Sequence, residues 1–198
     1  MNLANKLTMF RIFLTLCIVA LLLFPFYEIG YAFPKYVIEN VVEIDFRYII
    51  AGILFIIASL TDFLDGYVAR KFNMITDLGK VLDAIADKIL VNSVLIILAA
   101  TGFIAPIIPV ILVMRDTFVD TIKMMAAKKG EAVAAIKSGK IKTACLMIGI
   151  SLTFFYNLPF EIYGYQVSDY LLIIATILSL FSMYQYYEKY KGMIFEKK

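Results

Sequence analysis

Four aspartates, Asp62, Asp65, Asp83 and Asp87, recur at helical spacing within the stretch DFLDGYVARKFNMITDLGKVLDAIAD, residues 62–87 of a chain that is otherwise strongly apolar. A carboxylate close to hydrocarbon is costly unless it is paired or binds a metal. On a helix each residue advances 100°, so Asp62, Asp65, Gly66 and Ala69 share one face, and Gly79, Asp83 and Asp87 share another. If two such helices pack side by side, four carboxylates converge, and the small residues beside them leave room for a ligand against the backbone. Four like charges in one place need cations between them. Two divalent ions bridged by the aspartates would satisfy the group, and such a pair suits the clamping of a diphosphate during displacement at phosphorus. The chain has no histidine. A general base is then a carboxylate, a lysine or a tyrosine, and a metal site is oxygen-ligated, which selects Mg²⁺ or Mn²⁺ over Zn²⁺. Two other readings stay open: interfacial aspartates scattered at helix ends, and a cation transporter with carboxylates inside the membrane. A position at the mouth of a bundle, not at its midplane, speaks against the transporter.

The elements that must hold these residues are apolar helices. The 198 residues are 62% hydrophobic, with a mean hydropathy of +0.86, and runs of spanning length recur along the whole chain. The expectation is an all-α, polytopic membrane protein, a single domain over residues 1–198. Six transmembrane helices are predicted at Thr8–Phe26, Phe46–Tyr67, Val81–Ala100, Ile104–Ala127, Ile141–Leu158 and Tyr170–Tyr187. Phe24-Pro25 and Phe33-Pro34 break the chain after the first, Thr101-Gly102 and Ala105-Pro106 separate the third from the fourth, and Asn157-Leu158-Pro159 ends the fifth. With the N-terminus inside, Lys35 and Arg47 fall outside and every other lysine and arginine falls inside or at an inner helix end. That bias places both termini in the cytoplasm and the four aspartates at the cytoplasmic ends of the second and third helices. Gly30-Tyr31-Ala32 resembles a cleavage site only weakly, so the first helix is expected to be retained. Cys17 and Cys145 each fall inside an apolar run and read as packing residues.

A basic segment, Arg115–Lys142, lies on the same predicted side. Such a loop sets topology and attracts anionic lipid; it also suits an anionic substrate. The cluster Lys137-Ser138-Gly139-Lys140-Ile141-Lys142-Thr143 favours binding, with Gly139 expected to let the backbone turn into the fifth helix.

The pattern Asp62-x-x-Asp65-Gly66-x-x-Ala69-Arg70, eight residues, Gly79-x-x-x-Asp83-x-x-x-Asp87 resembles the signature of the CDP-alcohol phosphotransferases at every fixed position. The resemblance implies transfer of the phosphatidyl group of a CDP-linked lipid to an alcohol, with CMP leaving. It implies two divalent ions on Asp62, Asp65, Asp83 and Asp87, with Asp87 also the general base. It implies a CDP site formed by Asn5, Thr8, Asp65, Gly66, Ala69, Arg70 and Gly79, in which Gly66, Ala69 and Gly79 line the cytidine socket, and a homodimer. The opening Asn5-Lys6-Leu7-Thr8-Met9-Phe10-Arg11 is similar to the N-x-L-T-x-x-R start of the phosphatidylglycerophosphate synthase branch, with Ala4 where a proline is usual, and Ser138–Thr143 is similar to the lysine-rich patch of that branch. The acceptor implied is glycerol 3-phosphate and the donor CDP-diacylglycerol, at the cell membrane among membrane lipids, with no nucleic-acid partner. A phosphorylated acceptor needs cations, and Arg115, Lys137, Lys140 and Lys142 are the candidates. Inositol phosphate would need them too, so a phosphatidylinositol-phosphate synthase is the nearest alternative.

Overall fold

The computed structural model describes residues 3–38, 42–71, 77–130 and 136–194, with side chains except at 3, 4, 63, 65–71, 77, 78, 80, 193 and 194. Six helices carry the fold: α1 (Leu3–Leu23), α2 (Phe46–Lys71), α3 (Asp77–Ala100), α4 (Ile107–Lys128), α5 (Lys137–Phe154) and α6 (Val167–Ile194). They correspond one to one with the six apolar stretches. Between α1 and α2 stands an antiparallel hairpin of β1 (Lys35–Ile38) and β2 (Val42–Asp45), with Tyr36 opposite Ile44. The helix-only expectation did not include this hairpin: two four-residue strands are too short to register beside long apolar helices. Its end is tied to the bundle, since the Asp45 backbone N–H donates to the Tyr156 hydroxyl at 2.8 Å and Arg47 grips the Asp45 carboxylate. Pro25 and Pro159 each open a short 3₁₀ turn, closed by Gly30 and Gly164 at φ of 76° and 74°, where a side chain would be strained.

Each helix turns one stripe inward. On α1 the buried positions are Asn5, Thr8, Arg11, Leu14, Thr15, Ile18 and Leu22; on α6 they include Leu172, Ala175, Ser179, Ser182 and Tyr186. These steps of three and four are the helical period. α1 packs extensively on both α2 and α3, α5 on α6, and α4 on α6. Gly52 of α2 lies so close to α5 that a Cβ there would stand 2.8 Å from that of Phe154. Among the described residues, α1 (Asn5–Leu23) and α6 (Val167–Gly192) are long and apolar enough to cross a membrane.

Two expectations are corrected. α5 begins at Lys137, so Gly139 is its third residue and makes no turn; the run of lysines belongs to the helix, not to a loop before it, because Ser138 and Lys142 supply the buried face of its first turns. Secondly, among the described residues α2 and α3 touch each other only sparsely. The side-by-side pair inferred from the aspartate spacing is a three-helix arrangement, with α1 packed against both.

Candidate active site

At one end of the bundle, the C-terminal half of α2 and the N-terminal turns of α3 meet the N-terminal half of α1. Asp62 continues the inward stripe of Ala51, Phe55 and Ala58, and Asp83 and Asp87 precede that of Leu90, Val94 and Leu98. The apolar part of each helix thus fixes which way its aspartates face. Between them lies Arg11, whose side chain is fully buried. Its Nη1 stands 2.6 Å from Oδ1 of Asp62 and 3.0 Å from Oδ1 of Asp83. One cationic nitrogen of α1 is therefore shared by carboxylates of α2 and α3. Asn5 and Thr8 are buried on the same face of α1 as Arg11. In the sequence Arg11 reads as a motif position and as a charge on the cytoplasmic side. Its spacing of three from Thr8 and six from Asn5 was the available signal that it turns inward.

The side chains of Asp65, Gly66, Ala69 and Arg70 lie outside the described residues, although α2 runs through them. Gly79 is partly buried in the first turn of α3. Among the described residues no three acidic or sulfur- or imidazole-bearing side chains are grouped as a ready metal site. The donor set nevertheless fits a hard cation: Asp62 and Asp83 come from separate helices, offer only oxygen, and already converge on one positive centre.

A cavity of about 250 Å³ opens from Asp87 toward α4 and α5. Three cations named from the sequence line it, Arg115, Lys140 and Lys142, together with two that were not, Lys88 and Lys123. Asp116 and Asp120 also face it. Lys137 does not line this cavity; it is exposed on the first turn of α5. Arg115 is buried and held on α6, its Nε donating to the Ser179 carbonyl at 3.3 Å and its Nη2 to the Ser182 hydroxyl. Its Nη1 donates to Asp116 at 2.8 Å, and Lys142 donates to the same oxygen at 3.1 Å. Lys88 of α3 pairs with Asp120 of α4. A carboxylate, Asp87, thus shares one polar chamber with a group of cations. A carboxylate so placed can accept a proton, and the cations beside it can hold an anionic group.

Residues 1–184 match the family model for CDP-alcohol phosphatidyltransferase. The chain belongs to the CDP-alcohol phosphatidyltransferase family. Among curated relatives, a CDP-diacylglycerol–glycerol-3-phosphate 3-phosphatidyltransferase of Bacillus subtilis is 36% identical over 95% of this chain and 94% of its own length. Proteins of that same name from Haemophilus influenzae and Rickettsia bellii are 32% and 31% identical, over 94% and 81% of this chain and 97% and 89% of theirs. As a CDP-alcohol phosphatidyltransferase, the protein has its signature aspartates at the end of the bundle where the cation-lined chamber opens, so the two parts first read separately from the sequence adjoin in the fold.

Proposed function

We propose that the protein transfers the phosphatidyl group of CDP-diacylglycerol to glycerol 3-phosphate, releasing CMP. The observation that carries this reading is the chamber in which Asp87 faces Arg115, Lys140 and Lys142. A neutral acceptor alcohol has no use for that group of cations; a phosphate monoester does. The names of the relatives point the same way.

In this reading the phosphate of the acceptor lies against Lys140, Lys142 and Arg115, which brings its free hydroxyl to Asp87. The Asp87 carboxylate takes the hydroxyl proton as the oxygen forms its bond to the β-phosphorus of the donor, and the bond from that phosphorus to the CMP oxygen breaks. Asn5, Thr8, Asp65, Gly66, Ala69, Arg70 and Gly79 hold the CDP portion. Asp62, Asp65, Asp83 and Asp87 would hold two Mg²⁺ or Mn²⁺ ions, whose chemistry is to offset negative charge on the diphosphate and on departing CMP. Lys137, exposed and away from the chamber, contributes at most long-range attraction. All six helices cross the cell membrane, both termini lie in the cytoplasm, and the protein works as a homodimer. The charge bias of the sequence supports this topology.

The test is CMP release from CDP-diacylglycerol by the purified protein with Mg²⁺ and either glycerol 3-phosphate or inositol phosphate. Release with glycerol 3-phosphate alone is expected. Release with inositol phosphate alone would make it a phosphatidylinositol-phosphate synthase, and release with neither would sink the reading.

A further inference from the structure

Asp116 has no assigned role within the basic segment Arg115–Lys142, yet its Oδ1 accepts hydrogen bonds from Arg115 Nη1 at 2.8 Å and from Lys142 Nζ at 3.1 Å. Arg115 comes from α4 and Lys142 from α5, so one carboxylate oxygen gathers cations of two helices. The other donors of Arg115 that the fold engages are turned to Ser179 and Ser182 of α6, which fixes the plane of the guanidinium. Lys142 is only 7% exposed. A buried ammonium beside a buried guanidinium is repelled by it and has little water to screen the repulsion; the carboxylate between them is what lets both stay. One helical turn further along α4, Asp120 pairs with Lys88 of α3, in a more exposed position. α4 thus presents two acids four residues apart, each fastening a lysine from a neighbouring helix around the chamber.

We propose that Asp116 is a positioning residue of the acceptor subsite: it fixes Arg115 and Lys142 as one fork for the phosphate monoester. The proposal rests on the acceptor reading given above. Charge supports it. The chamber is lined by five cations and three carboxylates, Asp87, Asp116 and Asp120. The cations outnumber the carboxylates, which suits a phosphate monoester, a group that carries about −1.5 to −2 near neutral pH.

Removing Asp116 has two opposed effects. One fewer negative charge near the subsite favours an anion. Against that, a buried ammonium that loses its counter-charge gives up its position or its proton, and either removes a cation from the fork. The burial of Lys142 makes the second effect the larger.

The experiment measures kcat and both KM values by CMP release, on the full-length protein, for Asp116→Ala, Asp116→Asn, Lys142→Ala and the double variant Asp116→Ala/Lys142→Ala. Asp116→Ala is expected to raise KM for glycerol 3-phosphate by about tenfold and to keep KM for CDP-diacylglycerol within about twofold. Asp116→Asn, which keeps an acceptor oxygen without the charge, falls between it and the parent, and carries the test if the alanine variant does not insert. The double variant is expected to lose clearly less than the product of the two single losses, since Asp116 acts in large part through that lysine, while Arg115 keeps its bonds to Ser179 and Ser182. If Lys142→Ala raises KM for glycerol 3-phosphate while both Asp116 variants leave it unchanged or lower it, Asp116 competes with the phosphate and the proposal fails alone. Losses that multiply in the double variant overturn it as well. If Lys142→Ala leaves that KM unchanged, the acceptor reading itself fails, and the proposal with it.

Discussion

Arg11→Gln isolates the contact that joins three helices. The substitution keeps much of the side-chain volume and some hydrogen-bonding capacity but removes the charge that Asp62 and Asp83 share at 2.6 and 3.0 Å. Removing one partner of a fully buried ion pair costs about 3–5 kcal/mol, whereas an exposed pair is worth only about 0–1 kcal/mol. This case lies between the limits: Arg11 is fully buried, but the carboxylates left behind are 39% and 50% exposed, so water can take over part of their solvation. A loss of about 1.5–3 kcal/mol follows from those bounds. For a chain of this size that corresponds to a fall in Tm of roughly 3–12 °C. The assay is thermal unfolding of the full-length protein in detergent, at one scan rate and with a chelator present, so that no cation from solution replaces the guanidinium. In the double variant Arg11→Gln/Asp62→Asn, the further loss from Asp62→Asn should be smaller than in the parent by at least about 0.5 kcal/mol, the sign of direct coupling. A fall in Tm below about 1 °C for Arg11→Gln, or simple additivity in the double variant, would refute the bridging role.

Chelation should abolish CMP release, and Mg²⁺ or Mn²⁺ should restore it; full activity in chelator would rule out the carboxylate-held ions. Asp87→Asn should remove turnover while weakening Mn²⁺ binding, read by electron paramagnetic resonance, less than Asp62→Asn does; substantial turnover at saturating metal would take the base role from Asp87. Lys140→Ala should raise KM for glycerol 3-phosphate with little change in KM for CDP-diacylglycerol, whereas Arg115→Ala should also lower Tm, because Arg115 fastens α4 to α6. Gly52→Ala should lower stability by about 1–3 kcal/mol, since its Cβ would meet that of Phe154 at 2.8 Å. Gly192→Ala, in a helix and with open space about it, should be neutral or stabilising by up to about 1 kcal/mol; equal losses at the two glycines would contradict the packing of α2 on α5.

The sequence alone determined the helices, their number and the helical spacing of the signature aspartates, because each depends on local spacing. Apolar runs fix where helices form, and a step of three or four fixes which residues share a face, so Asp62 could be placed with Asp65 and Asp83 with Asp87 without any knowledge of the fold. The N-terminal motif at Asn5, Thr8 and Arg11 was legible in the same way. What stands opposite a face is not a local property. That α1 and not α3 is the principal neighbour of α2, that Arg11 fills the space between Asp62 and Asp83, and that Asp116 holds Arg115 and Lys142 together were all decided by packing between helices distant in the chain. The lysines show the division most clearly. Lys137, Lys140 and Lys142 look alike in a basic run, but on a helix beginning at Lys137 they point in different directions. Lys142 faces inward, and only there does a buried ammonium find the carboxylate that makes its burial tolerable.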